Sequence, residues 1–190
     1  VLHVGQASAD PTLRKALAIG ADKAIRIDTP ALDAFVVADQ ISNYLQANPY
    51  DLIIAGRESI DYNGSMVPGL VAAKCDIAFV NTCVQLEIDG STATATREMD
   101  GGMEVLSVDL PLIIGSQKGL VEETDLRIPN MRGIMQARQK PLEVVPAVES
   151  QAKSAIQNFE KPVPKAAVKL IPADDIDQLI DLLQNEAKVL

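Results

Sequence analysis

The chain has no tryptophan, three phenylalanines and three tyrosines among its 190 residues. So few rings leave little surface on which unpaired bases can stack, which argues against single-stranded nucleic acid as a ligand. Positive charge is also short: 17 Lys and Arg stand against 26 Asp and Glu, a formal net charge of −9. Nonspecific binding to nucleic acid or to an anionic lipid surface needs a broad positive face, and this balance argues against one. There is one histidine, His3, and there are two cysteines, Cys75 and Cys83, with no Cys-x-x-Cys pair. A zinc site built from Cys and His is therefore not expected. A Ser-His-Asp triad has only His3 to draw on, at an apparent edge of the fold, where a structural histidine is the simpler reading. The two cysteines read as small buried hydrophobes in a reducing, cytoplasmic setting. No apolar run reaches the roughly 18–20 residues of a membrane helix, so no membrane insertion is expected.

What remains is a chain with 47% apolar and 23% charged residues, enough to build a core. Residues 1–4 read as a strand already in mid-fold, which points to a segment before Val1. Asp10-Pro11 reads as a helix start with Asp as cap and Pro first inside. Residues 23–27 read as a second strand, and Thr29-Pro30 as the start of a longer helix ending near Asn48-Pro49. Residues 51–56 form a buried strand running into Gly56, and residues 66–74 a further helix. This β-α-β-α-β-loop-α order predicts a parallel sheet flanked by helices. Asp89-Gly90 and Asp100-Gly101-Gly102 then punctuate three alternating strands, a β-meander that joins the same sheet. Residues 111–115 add a short apolar strand. The fold class is thus α/β, with an added antiparallel meander over residues 1–145 and an extended arm and helix over 146–190. Prolines 141, 146, 162, 164 and 172 exclude a helix and disfavour a central strand between residues 141 and 172. Residues 174–188 read as an amphipathic helix with Ile176, Leu179, Ile180 and Leu183 on one face, capped electrostatically by Asp174 and Asp175.

Three places carry candidate chemistry. The loop 56–65 follows the C-terminal end of a parallel strand, where open α/β sheets bind ligands. It feeds a helix start at Ser65-Met66-Val67, whose free amides and dipole suit a phosphate, although an ordinary N-capped turn explains the same pattern. Asp61 has no second carboxylate or histidine beside it and reads as a loop-ordering residue. The stretch 127–140 holds Arg127, Arg132, Arg138 and Lys140 with no acidic residue, and its flexible Met131 and Met135 suit an adaptable docking surface. A plain surface helix is the alternative. The third place is the apolar stripe of the C-terminal helix, which either packs on its own domain or docks on a partner.

The blocks at residues 12–22, 51–61, 97–104, 110–114 and 131–141 together resemble the β subunit of the electron-transfer flavoprotein in its bacterial branch, in that family's order and spacing. The resemblance implies a carrier subunit without catalytic residues of its own. It implies pairing with an FAD-carrying α subunit, and electrons arriving from flavin dehydrogenases such as acyl-CoA dehydrogenases. The pocket of this subunit then holds AMP, or FAD in bifurcating members. The family's phosphate loop falls on Ser65, Met66 and Val67; Ser59, Asp61 and Tyr62 lie in the matching adenosine-side turn, and Gly56 and Arg57 at the start of the loop join them as candidate cofactor-binding residues. Met66-Val67-Pro68 departs from the family's pattern, removing a side-chain donor and, at Pro68, a backbone N–H. The family's dehydrogenase anchor falls on Met131, with Ile128, Ile134, Met135 and Arg138 around it. Its C-terminal arm, which wraps the α subunit, falls on residues 146–190. Two other readings stay open on the residues alone: an adenine-nucleotide-binding or hydrolysing enzyme of similar fold, and a nucleotide-free interaction module.

Overall fold

The computed structural model describes residues 1–60, 62–165 and 167–190. Strand β1 (Leu2–Val4) leads through Gly5 and a short 3-10 turn into helix α1 (Asp10–Ile19). Leu13 and Leu17, one turn apart, form the buried side of α1, and Gly20, at φ 145°, ends it in a backbone conformation that a Cβ disfavours. Asp10 does not cap this helix as the sequence predicts; it is already the first helical residue. Its carboxylate instead accepts from Arg26 Nε at 2.7 Å.

Arg26 lies in β2 (Ala24–Asp28) and is buried. Its Nη1 also donates to Gly5 O at 3.0 Å and to Asp28 Oδ1 at 2.5 Å. One guanidinium therefore joins the ends of β1 and β2 to the start of α1. Its burial is tolerated because these partners satisfy its charge. Helix α2 (Ala34–Ala47) begins four residues beyond the Thr29-Pro30 start that the sequence predicts. The better cap is Asp33, whose Oδ1 accepts from Val36 N at 2.8 Å.

The sheets differ from the single one expected. β1 and β2 pair in parallel, and β8 (Leu142–Pro146) adds in parallel on the far side of β2. The second sheet runs in the order β3 (Leu52–Gly56), β7 (Leu112–Ser116), β4 (Ala78–Asp89), β5 (Thr92–Met99), β6 (Gly102–Asp109). Its first three strands are parallel and its last three are the expected meander. Both backbone edges of β2 are taken, so β3 pairs with β7 instead. Strand β8 is not announced by the sequence, and its place agrees with the reading that Pro141 and Pro146 disfavour a central strand. The first immediately precedes the strand, the second ends it, and β8 lies at the sheet edge, where a missing N–H costs little.

Helix α3 (Val67–Cys75) packs with α2 over β7, burying Ile113, Val71, Ala72 and Ala38. Leu112 and Ile114 point to the opposite face and pack with Val80, Cys83, Ala93 and Ala95. Burial pushes the thiols of Cys75 and Cys83 up, as expected of cysteines that serve as core hydrophobes. Helix α4 (Met131–Ala137) lies against α1, with Ala137 buried beside Leu13, Leu17 and Ala24.

After β8 the chain runs along α2. Gln40 clasps Val148, its Nε2 donating to Val148 O at 2.9 Å and its Oε1 accepting from Val148 N at 2.8 Å. Ser150 Oγ donates to Asp39 at 2.5 Å, and the amides of Lys153 and Ser154 donate to Asp33 Oδ2 at 2.7 and 2.9 Å. The chain divides into two units, Val1–Ala155 and Ile156–Leu190. In the second, α5 (Ile176–Asp181) is capped by Asp175, which accepts from Gln178 N at 3.2 Å. This helix is shorter than the predicted 174–188. Over Leu182–Glu186 it loosens into a π turn, in which Ala187 N reaches Leu182 O at 2.8 Å. Ile176, Leu179 and Ile180 are exposed, and Leu183 is half-buried.

Candidate functional site

The loop between β3 and α3 starts where β3 ends at Gly56, at the C-terminal edge of three parallel strands. Arg57 extends the pairing by one bond, its amide donating to Ser116 O at 3.0 Å. The loop then folds on itself. Ser59 O accepts from Asn63 N at 2.7 Å and from Tyr62 N at 3.3 Å. The Tyr62 ring lies against Gly64, so closely that a Cβ there meets it at 3.0 Å. Ser65 Oγ donates to Arg57 O at 3.3 Å and ties the two ends of the loop together. Asn63 and Ser65 both take left-handed backbone angles, φ 47° and 50°. These are unusual for residues other than glycine, though asparagine tolerates them best. Asp61 lies outside the described residues.

The loop delivers the chain to Met66, the N-cap of α3, and no side chain caps that helix. The amides of Val67 and Gly69 are thus first-turn donors without an intrahelical partner. Pro68, second in the helix, contributes no N–H. Gly56, Arg57, Ser59, Tyr62, Ser65, Met66 and Val67 are brought together on this one loop and helix start.

Sequence reasoning missed the neighbours that hold Arg57. Its Nη1 donates to Gln117 Oε1 at 2.9 Å, and its Nη2 pairs with Glu58. Gln117 in turn donates to Glu98, and Thr82 Oγ1 donates to Glu98 O at 2.8 Å. Thr82 takes φ 52° where the register of β4 against β7 shifts between Val80 and Cys83. The only sequence signal for this bulge is the polar pair Asn81-Thr82 interrupting an apolar strand.

The second candidate surface lies on α4 and the loop before it. Asn130 caps α4, its side chain accepting from Gly133 N at 2.8 Å. Two cations anchor the helix to α1. Arg14 Nη1 donates to Ala137 O at 2.8 Å and to Lys140 O at 2.6 Å; Lys140 Nζ donates to Leu17 O at 3.0 Å and Ala21 O at 2.6 Å. Lys140 is thereby drawn into the fold and leaves the basic face that the sequence assigns it to. Ile128, Met131, Ile134 and Met135 stay exposed, Ile128 at 85% and Met131 at 75%. Arg138 follows the last residue of α4. The apolar residues of α5 belong to the second unit and form a separate exposed set. Among the described residues no group of His, Cys, Asp and Glu is placed to hold a metal ion, and no helix is long and apolar enough to cross a membrane.

Comparison with known proteins decides the family. Residues 1–150 match the model of the electron transfer flavoprotein domain. The chain is 34% identical over 201 residues to the electron transfer flavoprotein subunit beta of Bacillus subtilis, covering 98% of this chain and 77% of that protein. The chain belongs to the electron transfer flavoprotein β-subunit family. It is similar in the same way to the subunit beta of Syntrophomonas wolfei, 36% identical over 194 residues with 100% of this chain and 75% of that protein covered. The mitochondrial subunit beta of Arabidopsis thaliana is 32% identical over 195 residues, covering 100% and 76%. The match spans both candidate surfaces of the first unit, the loop before α3 and the face of α4.

Proposed function

We propose that this chain is the β subunit of an electron-transfer flavoprotein heterodimer in the cytoplasm. It pairs with an FAD-carrying α subunit and passes electrons from flavin dehydrogenases, such as acyl-CoA dehydrogenases, to a respiratory or other acceptor. The observation that carries this reading is the family match over residues 1–150, which includes the strand-end loop and α4 in one stretch.

The loop's geometry fits an adenine nucleotide, AMP or, in a bifurcating complex, FAD. The start of α3 has no side-chain cap, so the Val67 and Gly69 amides are free to donate to a phosphate, and the helix dipole adds to their pull. Ser65 and Arg57 hold the loop closed beneath it, and Ser59 and Tyr62 shape its adenosine side. A bound flavin supplies the redox chemistry. The chain's own residues bind and orient. Pro68 leaves the phosphate with fewer donors than a full first turn offers. The exposed face of α4 around Met131 meets the dehydrogenase briefly, whereas the arm and the apolar stripe of α5 hold the α subunit.

The test is to co-express the protein with its α subunit, denature the purified complex and identify the released small molecules by chromatography. One FAD and one AMP per heterodimer are expected of a simple carrier. Two FAD without AMP place redox chemistry in this subunit's pocket. A complex that releases no flavin overturns the reading.

A further inference from the structure

The seven arginines fall into two classes. Four are engaged within the fold. Arg14 donates to two carbonyls, Arg26 pairs with Asp10 and Asp28, Arg57 with Glu58, and Arg97 Nε with Glu104 at 2.6 Å. The other three, Arg127, Arg132 and Arg138, cluster in one short segment. Among the described residues none of the three makes an ion pair. A chain with a net charge of −9 has carboxylates to spare, yet among the described residues none lies within ion-pair distance of them.

Two of these arginines wall a cavity of about 520 Å³ between the C-terminal end of α1 and the start of α4, lined also by Ile19, Ile128 and Gln136. Gly133 lets the two helices meet so closely there that a Cβ on it comes within 2.7 Å of Ala18 O. Ile128 of the lining is exposed, and so are Met131 and Met135 of the same segment. A guanidinium offers a planar fork of donors that matches a carboxylate, and two of them at one cavity mouth repel each other until an anion separates them. The chain's negative charge disfavours an anionic membrane or nucleic acid as the source of that anion. An acidic protein surface is subject to the same overall repulsion, but it needs to match only this patch and offers apolar side chains to Ile128, Met131 and Met135.

We infer that this cavity receives a carboxylate side chain from a partner protein, with Arg127 and Arg132 as its cationic walls and the Met131 side chain packing on an apolar neighbour of that carboxylate. The inference rests on the proposed docking of a flavin dehydrogenase on this face, and it specifies the chemistry of the partner: acidic and apolar residues side by side. Arg138, outside the cavity, adds to the attraction at longer range.

The experiment uses the full α/β complex immobilised on a biosensor and an acyl-CoA dehydrogenase as the probe. Association and dissociation rates are measured at salt concentrations from about 20 to about 150 mM, across which screening shortens the reach of charges to about 8 Å. The wild-type association rate is expected to fall with salt. The double variant R127Q/R132Q is expected to associate about tenfold more slowly at low salt and to lose most of that salt dependence. R127K/R132K keeps the charge but not the fork, so it is expected to associate at the wild-type rate and dissociate faster. A charge-matched control, K23Q/K118Q, at surface residues outside the cavity, the loop before α3 and the C-terminal arm, is expected to behave as wild type. Far-UV circular dichroism and flavin content check that all complexes are intact. If wild type binds but R127Q/R132Q binds equally well, or the control loses as much, the inference is overturned and the carrier reading stands. If wild type does not bind the dehydrogenase at any salt concentration, both are overturned.

Discussion

Asp33 uses each oxygen of one carboxylate for a different segment. Oδ1 caps α2 through Val36 N, and Oδ2 gathers the amides of Lys153 and Ser154 and the Ser154 hydroxyl. These donors, the Val36 amide foremost, hold its pKa down from the usual 3.8 to about 2 against the opposing effect of burial. A carboxyl depressed in the folded state contributes stability that is present above its unfolded pKa and is lost as pH falls through the folded one. The contribution of Asp33 should therefore fade between about pH 4 and pH 2. Asp33→Asn is expected to lower Tm by a few degrees at pH 7, because its NH₂ group cannot accept from Lys153 and Ser154. The gap to wild type should close by pH 2, and calorimetry across that range checks it. Gly133 is the other residue with a definite expectation. A side chain there meets the Ala18 carbonyl, so Gly133→Val should cost about 1–3 kcal/mol, read as a lowered urea midpoint.

At the scale of elements, Pro68 is the most informative position. Pro68→Ala restores an N–H in the first turn of α3. If that turn holds a phosphate, the variant should bind AMP several-fold more tightly in isothermal titration calorimetry, even if it unfolds slightly more easily. Unchanged affinity would move the nucleotide away from this helix. Elements specified by local chemistry were legible in the sequence: the apolar run of β3 ending at Gly56, the Asp89-Gly90 turn, and the strand-end loop that leads into α3. Elements decided by long-range contacts were not. β8 reads as proline-broken coil until β2 offers it an edge. The start of α2 moves to Asp33 because a carboxylate outcompetes Thr29-Pro30, and Asp10 gives up its cap to Arg26, whose burial no local pattern announces. Lys140 looks like surface charge in the sequence, and only the packing of α4 on α1 turns it toward the carbonyls of Leu17 and Ala21. The loop was placed correctly as a unit, but its supports Gln117, Glu98 and Thr82 come from distant strands and leave little trace in sequence.

At the scale of the whole molecule, residues 148–154 are bound along α2, and the second unit begins at Ile156. We expect a protein ending at Ala155 to keep the far-UV spectrum and melting of the first unit and to lose co-purification with the α subunit. An intact heterodimer after that truncation would count against the docking role of residues 156–190. The face of α4 has a different dependence on the rest of the fold. The helix spans seven residues, well short of the ~12–15 that an isolated helix needs to persist in water. Its shape is imposed by Arg14, Lys140 and the buried Ala137, all of which require α1. A synthetic peptide copying residues 127–140 should therefore be disordered in solution and a poor competitor for the dehydrogenase. An inhibitor drawn from this surface has to bring its own scaffold, a hydrocarbon staple or a grafted helical miniprotein, to replace what α1 supplies.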